Sequence, residues 1–233
     1  MSKVTKAMIL AAGFGTRLRP LTDTIPKPLL PFNGKPMIEN AISKLRSAGV
    51  NEFVINIHHH AEKMEEYFQR RSGTEKITLI KEHDILGTGG ALVNAKELLK
   101  GSGSFFLYNA DVDTEMDLLE MEKYHFDTGS LVTLAVKKRK TSRYLILDSE
   151  MNIIGRTEND SDNLYRDKKP EKKMGFCGIH LISDKIFGLI ETSGSFDIIP
   201  EYMRLTSMDF MIKGFDIGST SWQDLGKLNN SGN

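Results

Sequence analysis

Apolar segments of strand length alternate with segments of helical periodicity over the first half of the chain. The first apolar segment, residues 7–11, shows no polar alternation, which is typical of a strand covered on both faces. The same criteria predict further strands at 53–57, 77–80 and 105–108, and helices at 36–48, 61–70 and 90–99. Strands that alternate with helices predict an α/β protein with three layers, α/β/α, around a mixed, mainly parallel sheet. Its active site is then expected at the carboxyl ends of the strands.

The second half of the chain is less regular. Residues 156–173 are rich in charged and small polar residues and predict an exposed, mobile loop. Because no linker or internal repeat interrupts the pattern, residues 1–233 are interpreted as a single domain. Strands are predicted at 131–136, 144–147, 153–154 and 176–182, and helices at 184–191 and 197–205.

The balance of charge limits the partners that this chain can attract. Lysine plus arginine equals aspartate plus glutamate at 31 each, so no overall field favours nucleic acid or an anionic membrane. Cys177 is the only cysteine, which excludes an intrachain disulfide and a zinc site built from several thiolates. No apolar stretch has the length of a membrane-spanning helix, and residues 7–12 are too short for a signal peptide. We therefore expect a cytoplasmic protein.

A glycine-rich segment follows the first predicted strand and contains the best candidate phosphate site. Gly13 and Gly15 allow backbone N–H groups to approach phosphate oxygens without obstruction by side chains. Arg17 offers a planar fork of donors, and Lys27 offers a compact charge held between two prolines. Leu18 stands where a dinucleotide fingerprint needs its third glycine, and no Gly-Lys-Ser/Thr follows as in a Walker loop.

The run GFGTRLRPLT…PKPLLP resembles the opening signature of the sugar-1-phosphate nucleotidyltransferases, also called nucleotide-sugar pyrophosphorylases. The resemblance continues in the same order to the C-terminal end of the chain, through residues 34–38, 86–91, 109–111 and 222–227. It implies the fold of the nucleotide-diphospho-sugar transferases. It also implies an enzyme that joins a nucleoside triphosphate to a sugar 1-phosphate and releases pyrophosphate.

The resemblance also implies roles for individual residues. Arg17 and Lys27 would be the catalytic cations, and Asp111 and Asp224 would hold Mg²⁺. Asp216 has a context partly similar to that of Asp224 and is the competing candidate. Weaker sugar-binding assignments fall on Asn109 and Gly178. The expected nucleotide-binding residues are Leu10, Ala11, Ala12, Gly13, Gly15, Thr16, Gly87, Thr88 and Gly89.

The resemblance leaves the base and the sugar open. UTP with N-acetylmuramate 1-phosphate and GTP with mannose or heptose 1-phosphate are the preferred pairs. Alternatives are a phosphocholine cytidylyltransferase and a catalytically silent regulatory protein that binds a nucleotide-sugar. Neither nucleic acid nor a membrane is expected as a partner, and the expected assembly is a monomer or a small homo-oligomer.

Three features are unusual. Many members have Asn-Gly-Asp where this chain has Asn109-Ala110-Asp111, and alanine is acceptable there unless the backbone φ is positive. No Glu-Lys-Pro, a sugar-site element in several branches, is recognised in the sequence, and Lys168-Lys169-Pro170 lacks the acid. The run His58-His59-His60 ends the second strand. Strand alternation predicts that neighbouring rings point to opposite faces. We therefore expect these histidines to line a cleft or cap the next helix rather than to bind metal.

Overall fold

The fold is that of an α/β protein. A computed structural model describes residues 4–227. The strands are β1 (Lys6–Leu10), β2 (Pro31–Phe32), β3 (Lys35–Pro36), β4 (Glu52–Ile57), β5 (Lys76–Lys81), β6 (Ser104–Asn109), β7 (Val112–Thr114), β8 (Val132–Lys137), β9 (Tyr144–Leu147), β10 (Ile153–Glu158), β11 (Ser161–Leu164), β12 (Lys172–Ser183), β13 (Ile212–Asp216) and β14 (Trp222–Asp224). The α-helices are α1 (Met37–Ser47), α2 (Ala61–Arg70), α3 (Gly87–Asn94), α4 (Lys96–Leu99), α5 (Leu118–Thr128) and α6 (Ile198–Ser207). Short 3₁₀ helices lie at Thr16–Leu18, Leu21–Asp23, Lys27–Leu29, Asp184–Gly188 and Leu225–Lys227.

Ten of the strands in this part of the chain form one mixed sheet. Its main path is β11-β10-β9-β12-β6-β1-β4-β5; β8 branches from β12, and β13 pairs with β8. The strands β6, β1, β4 and β5 are parallel, whereas the long strand β12 pairs antiparallel with β6, β8 and β9. The carboxyl ends of the four parallel strands therefore meet at one edge of the sheet, as the sequence pattern predicts.

Helices cover both faces of the sheet and make three layers. Ala7 and Ile9 of β1 pack into a core with α1, α2 and α5, whereas Met8 points into a second core with α3, α4 and α6. This division explains the unbroken apolar run of β1, because a parallel central strand must be apolar on both faces. The single-domain interpretation stays a prediction.

The predicted loop at 156–173 is wrong over its first half. Residues 153–164 form a β-hairpin of β10 and β11. The first register pair is Gly155 with Leu164, and the last is Glu158 with Ser161. The two turn residues, Asn159 and Asp160, have φ values of 49° and 61°. Both central residues of a type I′ turn need positive φ, and asparagine and aspartate tolerate it best among residues with a side chain. The polar composition therefore marked an exposed hairpin rather than a loop.

Two further helix predictions need correction, and one helix was missed. The helix expected at 90–99 begins at Gly87 and is interrupted at Ala95, where α3 ends and α4 follows. The helix expected at 184–191 is a single 3₁₀ segment that ends at Gly188. Helix α5 was not predicted, although its ends carry clear signals. The Asp117 carboxylate accepts from the N–H groups of Leu119 and Glu120, and Gly129 terminates the helix in the left-handed conformation.

Candidate active site

The segment after β1 leaves the sheet at its carboxyl edge and folds into short 3₁₀ turns. Gly15 precedes the first turn with φ of 65°, and a Cβ there would lie 2.8 Å from the Thr22 Cγ2. The Thr22 hydroxyl donates to the Gly15 carbonyl at 3.0 Å. Only glycine satisfies both the left-handed φ and this close approach. Arg17 lies in the turn that Gly15 begins, which places the guanidinium beside the sheet edge.

Asp111 and Asp224 are 113 positions apart in the sequence, and the pairing of β7 with β14 brings them together. Asp224 is the register partner of Val112, the residue after Asp111. The Leu225 N–H then donates to the Asp111 carbonyl at 2.8 Å. By contrast, the Asp216 carboxylate accepts from the Gly218 N–H at 2.9 Å within an exposed turn. The geometry favours Asp224 over Asp216 as the second acid of the site.

Each of the two acids pairs with a cation from the glycine-rich segment. Lys27 Nζ donates to Asp111 Oδ2, and both side chains are largely shielded from solvent. Arg17 Nη1 lies 3.8 Å from Asp224 Oδ2, and the Arg17 side chain remains 59% exposed. The four charged residues therefore form one cluster.

The two carboxylates and the Lys27 ammonium all face Gly226. A Cβ built on Gly226 would meet Lys27 Nζ first, then Asp224 Oδ1 at 3.0 Å and Asp111 Oδ2 at 3.1 Å. No group of three or more His, Cys, Asp or Glu that could hold a metal occurs among residues 4–227. Two convergent carboxylates fit Mg²⁺, which typically takes one or two from protein and completes its shell with water and substrate phosphate oxygens.

A cleft of about 240 Å³ opens beside the cluster at the ends of the parallel strands. Among the residues that the sequence proposed, it is lined by Leu10, Ala11, Ala12, Gly13, Lys27, Gly87, Thr88, Asn109 and Asp111. Ala110 lies between two of them without a positive φ, so alanine is accommodated in place of the glycine that many members have. Gly15, Thr16 and Arg17 do not line this cleft, and they lie in the turn beside it.

Of the glycines at 87–90, Gly87 lines the cleft, and Gly89 and Gly90 allow α3 to pack closely against residues 194–196. The N–H groups of Gly89 and Gly90 donate to the Phe196 carbonyl, at 2.9 and 3.3 Å. A Cβ on Gly89 would collide with the Phe196 ring, and one on Gly90 with the Gly194 carbonyl. The segment is the first turn of α3 rather than a loop, and only Gly87 and Thr88 line the cleft. Gly89 thus packs against Phe196 and does not line the cleft, and its contact with a nucleotide stays a prediction.

Asn56 and Glu82 line the same cleft and were not identified from the sequence. Both are nearly fully buried, at 4% exposure. Asn56 Nδ2 donates to Glu82 Oε1 at 2.8 Å, Asn56 Oδ1 accepts from the Ala11 N–H at 2.9 Å, and Glu82 Oε2 accepts from the Leu86 N–H at 3.2 Å. Asn56 lies near the carboxyl end of β4 and Glu82 directly follows β5, so both side chains belong to the edge of the sheet where such sites form.

A second, larger cleft of about 670 Å³ shares Thr88, Asn109 and Asp197 with the first. The hairpin that the sequence left as a loop contributes Arg156 and Glu158, which form an ion pair. Glu158 is followed by Asn159 and Asp160, and therefore carries no Lys-Pro. Lys168-Lys169-Pro170 does not line the cleft. Sequence analysis missed this acid because it sought a three-residue motif.

Gly178 positions Asn109 rather than lining the second cleft. It lies in β12 with φ of 77°, where the register with β8 shifts between Phe176 and His180. A Cβ on Gly178 would lie 2.9 Å from Asn109 Nδ2 and 2.7 Å from Val112 Cγ2. Asn109 Oδ1 is buried without a hydrogen-bond partner among the described protein atoms.

The three histidines do not follow the alternation of a strand. β4 ends at Ile57, and His60 adopts φ of 53° as the residue before α2. The rings of His59 and His60 lie 4.0 Å apart, so they point in the same direction. His60 makes no side-chain cap to α2. The expectation of opposite faces was wrong because a turn, and not a strand, carries these residues.

Comparison with known sequences now places the chain in a family. A family model described as "Nucleotidyl transferase" matches residues 6–154. The chain belongs to this nucleotidyl transferase family. It is 36% identical over 233 residues to mannose-1-phosphate guanylyltransferase 1 of Arabidopsis thaliana, covering 95% of this chain and 61% of that protein. It is 33% identical over 236 residues to mannose-1-phosphate guanyltransferase of Saccharomyces cerevisiae, with the same coverage. The chain thus spans about three-fifths of these relatives.

Solved structures share the fold. HddC from Yersinia pseudotuberculosis, complexed with GMP-PN, matches with a TM-score of 0.75 and 22% identity over 97% of this chain and 95% of its own. A UDP-glucose pyrophosphorylase complexed with UDP-glucose matches with a TM-score of 0.78 and 20% identity, covering 97% of this chain and 94% of that one. The three-layer α/β arrangement is therefore the fold of nucleotide-diphospho-sugar transferases. No α-helix of residues 4–227 combines the length and apolar character needed to cross a membrane.

Proposed function

We propose that the chain catalyses transfer of GMP from GTP to mannose 1-phosphate, or to a closely related sugar 1-phosphate, with release of pyrophosphate. The observation that carries the proposal is the convergence of Asp111, Asp224, Lys27 and Arg17 beside the glycine-lined cleft. The names of the relatives, mannose-1-phosphate guanylyltransferases, support the choice of substrates.

The reaction needs charge neutralisation more than proton transfer. A sugar phosphate oxygen is already anionic at neutral pH, so its attack on the α-phosphorus of GTP requires no general base. The bond from the α-phosphorus to the bridging oxygen breaks, and pyrophosphate leaves with the electron pair. Lys27 and Arg17 would neutralise the triphosphate as negative charge grows on the leaving group. The N–H groups of the segment that begins at Gly13 would hold the phosphates in line for attack.

Asp111 and Asp224 would hold Mg²⁺, because both carboxylates lie beside Gly226. When bound, the ion would supply positive charge that screens the repulsion between the two phosphate groups. The carboxylates also keep Lys27 and Arg17 in position, since each acid pairs with one of these cations.

Glu82 supports guanine as the preferred base. Guanine presents an N1–H and an N2 amino group side by side, and a carboxylate accepts both in a paired arrangement. Uracil and thymine present carbonyl oxygens on either side of their N–H, which a carboxylate repels. Each Glu82 oxygen already accepts one bond from the protein and has a second lone pair for a ligand. We propose that Glu82 selects GTP over UTP.

The second cleft is proposed to receive the sugar. Asn109 lines both clefts, which supports a role where the sugar phosphate would meet the nucleotide. Its side-chain amide carries both donor and acceptor atoms that suit a sugar hydroxyl. Glu158 offers a second acceptor for hydroxyl groups.

The test is pyrophosphate release from GTP, UTP, CTP and dTTP, each crossed with mannose, glucose, heptose and N-acetylmuramate 1-phosphates and with phosphocholine. We expect GTP with mannose 1-phosphate or heptose 1-phosphate to give the highest kcat/KM. Glu82→Gln should reduce the preference for GTP over UTP by about tenfold to a hundredfold, the scale of losing a charge-assisted hydrogen bond. Turnover of CTP with phosphocholine would identify the alternative enzyme. Binding without turnover of any pair would support the silent regulatory protein.

A further inference from the structure

The start of α2 makes three contacts with the glycine-rich segment that no catalytic role explains. His59 Nε2 donates to the Thr22 carbonyl at 3.1 Å, and His60 Nε2 donates to the Asp23 carbonyl at 3.1 Å. Lys63 Nζ donates to the Thr24 carbonyl. We propose that His59, His60 and Lys63, here called the loop clamp, are positioning residues that hold the phosphate-binding segment in its catalytic conformation.

The left-handed turn at His60 is what makes the clamp possible. Three consecutive carbonyls need three donors on one side, and a continuing strand would direct the rings to opposite faces. The φ of 53° at His60 turns the chain into α2, so that Lys63 follows one helical turn later on the same side. A residue with a side chain pays about 1 kcal/mol or more to adopt this conformation. The surrounding contacts must offset that cost.

The clamp connects directly to the residues proposed for catalysis. The Thr22 carbonyl accepts from His59, and the Thr22 hydroxyl donates to the Gly15 carbonyl. Gly15 begins the turn that carries Arg17. At the other end, the Phe14 ring packs edge-on against the His59 ring, with centroids 5.5 Å apart. His59 therefore contacts the segment on both sides of Arg17.

Apolar burial holds this segment unevenly. Leu18 packs against Leu30, Met37 and Leu225, whereas Leu21 and Ile25, next to the carbonyls that the clamp contacts, expose 53% and 40% of their surface. Its backbone bonds are mostly those of isolated 3₁₀ turns. A segment of this kind loses about 1–2 kcal/mol of conformational entropy per ordered residue. The clamp orders the segment before the substrate binds. The binding free energy of the substrate then has to offset less of this entropy cost.

The kinetic test rests on the proposed function. A loosened segment lowers the fraction of enzyme that is competent to bind triphosphate, which raises the apparent KM and leaves turnover of the bound complex nearly intact. We expect His59→Ala to raise the KM for the triphosphate by about threefold to tenfold, the scale of one hydrogen bond, with kcat changed less than twofold. His59→Gln, whose amide keeps a donor, should recover most of the change. His83→Ala is the matched control, because His83 bonds to the neighbouring Asp84 and its side chain is 98% exposed.

Hydrogen exchange tests the clamp without any substrate. The Leu18, Asp23 and Ile25 amides donate within the segment, and they should exchange about threefold to tenfold faster in His59→Ala and in Lys63→Met. Amides of β1 and α1 should be unchanged. Unchanged exchange in the segment would overturn the clamp. So would a lower kcat with unchanged KM, which indicates partial unfolding. If the wild-type protein turns over no substrate pair, the proposed function fails, and the exchange result still decides the clamp.

Discussion

Arg17 and Lys27 come from one short segment, but their surroundings differ. The Lys27 side chain is 13% exposed and bonds to Asp111, whereas Arg17 is 59% exposed and lies at the outer limit of ion-pair distance from Asp224. An exposed pair of this kind adds little to folding stability. Arg17 is therefore available for a phosphate, and its effect should appear in catalysis rather than in the melting temperature.

We predict that Arg17→Ala lowers kcat/KM by roughly 10²–10³, the scale of removing one preorganised donor from a developing charge. Arg17→Lys should restore only part of the activity, because the planar fork is lost. Arg19→Ala is the control, since Arg19 is equally exposed and pairs with Asp23 at 3.3 Å, outside the acidic pair of the site. Equal losses in the Arg17 and Arg19 variants, measured by pyrophosphate release, would remove Arg17 from the site.

At the scale of elements, β12 shapes the second cleft through an irregularity. Its register with β8 shifts between Phe176 and His180, and Gly178 takes a positive φ within that interval. An irregularity of this kind changes the direction of the side chains around it. The neighbouring strand contributes Asn109 at the point where Gly178 leaves room for the amide.

We predict that Gly178→Ala weakens both stability and sugar binding. The left-handed φ and the contact with Asn109 Nδ2 should together cost about 1–3 kcal/mol, or roughly 2–4 °C of melting temperature per kcal/mol. The KM for the sugar phosphate should rise more than the KM for the triphosphate, because Asn109 is displaced. Gly188→Ala is the control, since a Cβ there meets nothing within 4 Å and the φ is not positive. If both KM values change equally, Gly178 does not act through Asn109.

Elements defined by local pattern could be predicted from the sequence, whereas those defined by distant partners could not. Helix α2 was predicted with the observed bounds, and strands β4 and β9 within one residue. β7 and β14 have three residues each and exist because they pair with each other across more than a hundred positions. The hairpin of β10 and β11 depends on two positive φ values that the string Asn159-Asp160 allows but does not require.

The same distinction applies to the site. Asp111 and Asp224 were named through the family resemblance, and the pairing of β7 with β14 brings them together. Glu82 carried no motif, and it becomes visible only when β4 and β5 lie side by side with Asn56 in reach. Gly89 shows the opposite case, in which a motif residue serves packing against Phe196.

At the scale of the whole molecule, two buried histidines link folding to pH. Burial lowers the pKa of His125 to about 4 and that of His180 to about 3. His125 Nδ1 lies 2.9 Å from the Thr133 hydroxyl, and His180 Nδ1 lies 3.0 Å from the Tyr202 hydroxyl. Both rings are neutral in the folded protein at pH values where the unfolded chain protonates them.

We predict that acidification destabilises the protein through these rings. Because the folded pKa values lie below the unfolded value of about 6.5, their stabilisation is present above pH 6.5 and is lost as pH falls toward 4. Between pH 7 and pH 5 each histidine should lower the free energy of unfolding by about 2 kcal/mol. Chemical denaturation at several pH values measures this slope. The slope should be shallower in His125→Gln and in His180→Gln, and unchanged in His83→Gln, whose ring is exposed.

The central claim is that Asp111 and Asp224 act as one unit on one divalent cation. The most direct measurement is the Mg²⁺ dependence of pyrophosphate release in the wild type, Asp111→Asn, Asp224→Asn and the double variant, with Asp216→Asn as the control. Each single substitution removes a negative charge from the converging pair, and it should lower kcat/KM by about 10² or more and raise the Mg²⁺ concentration required. The double variant should be scarcely worse than the worse single variant, as for residues that act together. Asp216→Asn should change kcat/KM less than twofold. Effects of Asp111→Asn and Asp224→Asn that multiply, or a larger loss in Asp216→Asn than in Asp224→Asn, would contradict the account.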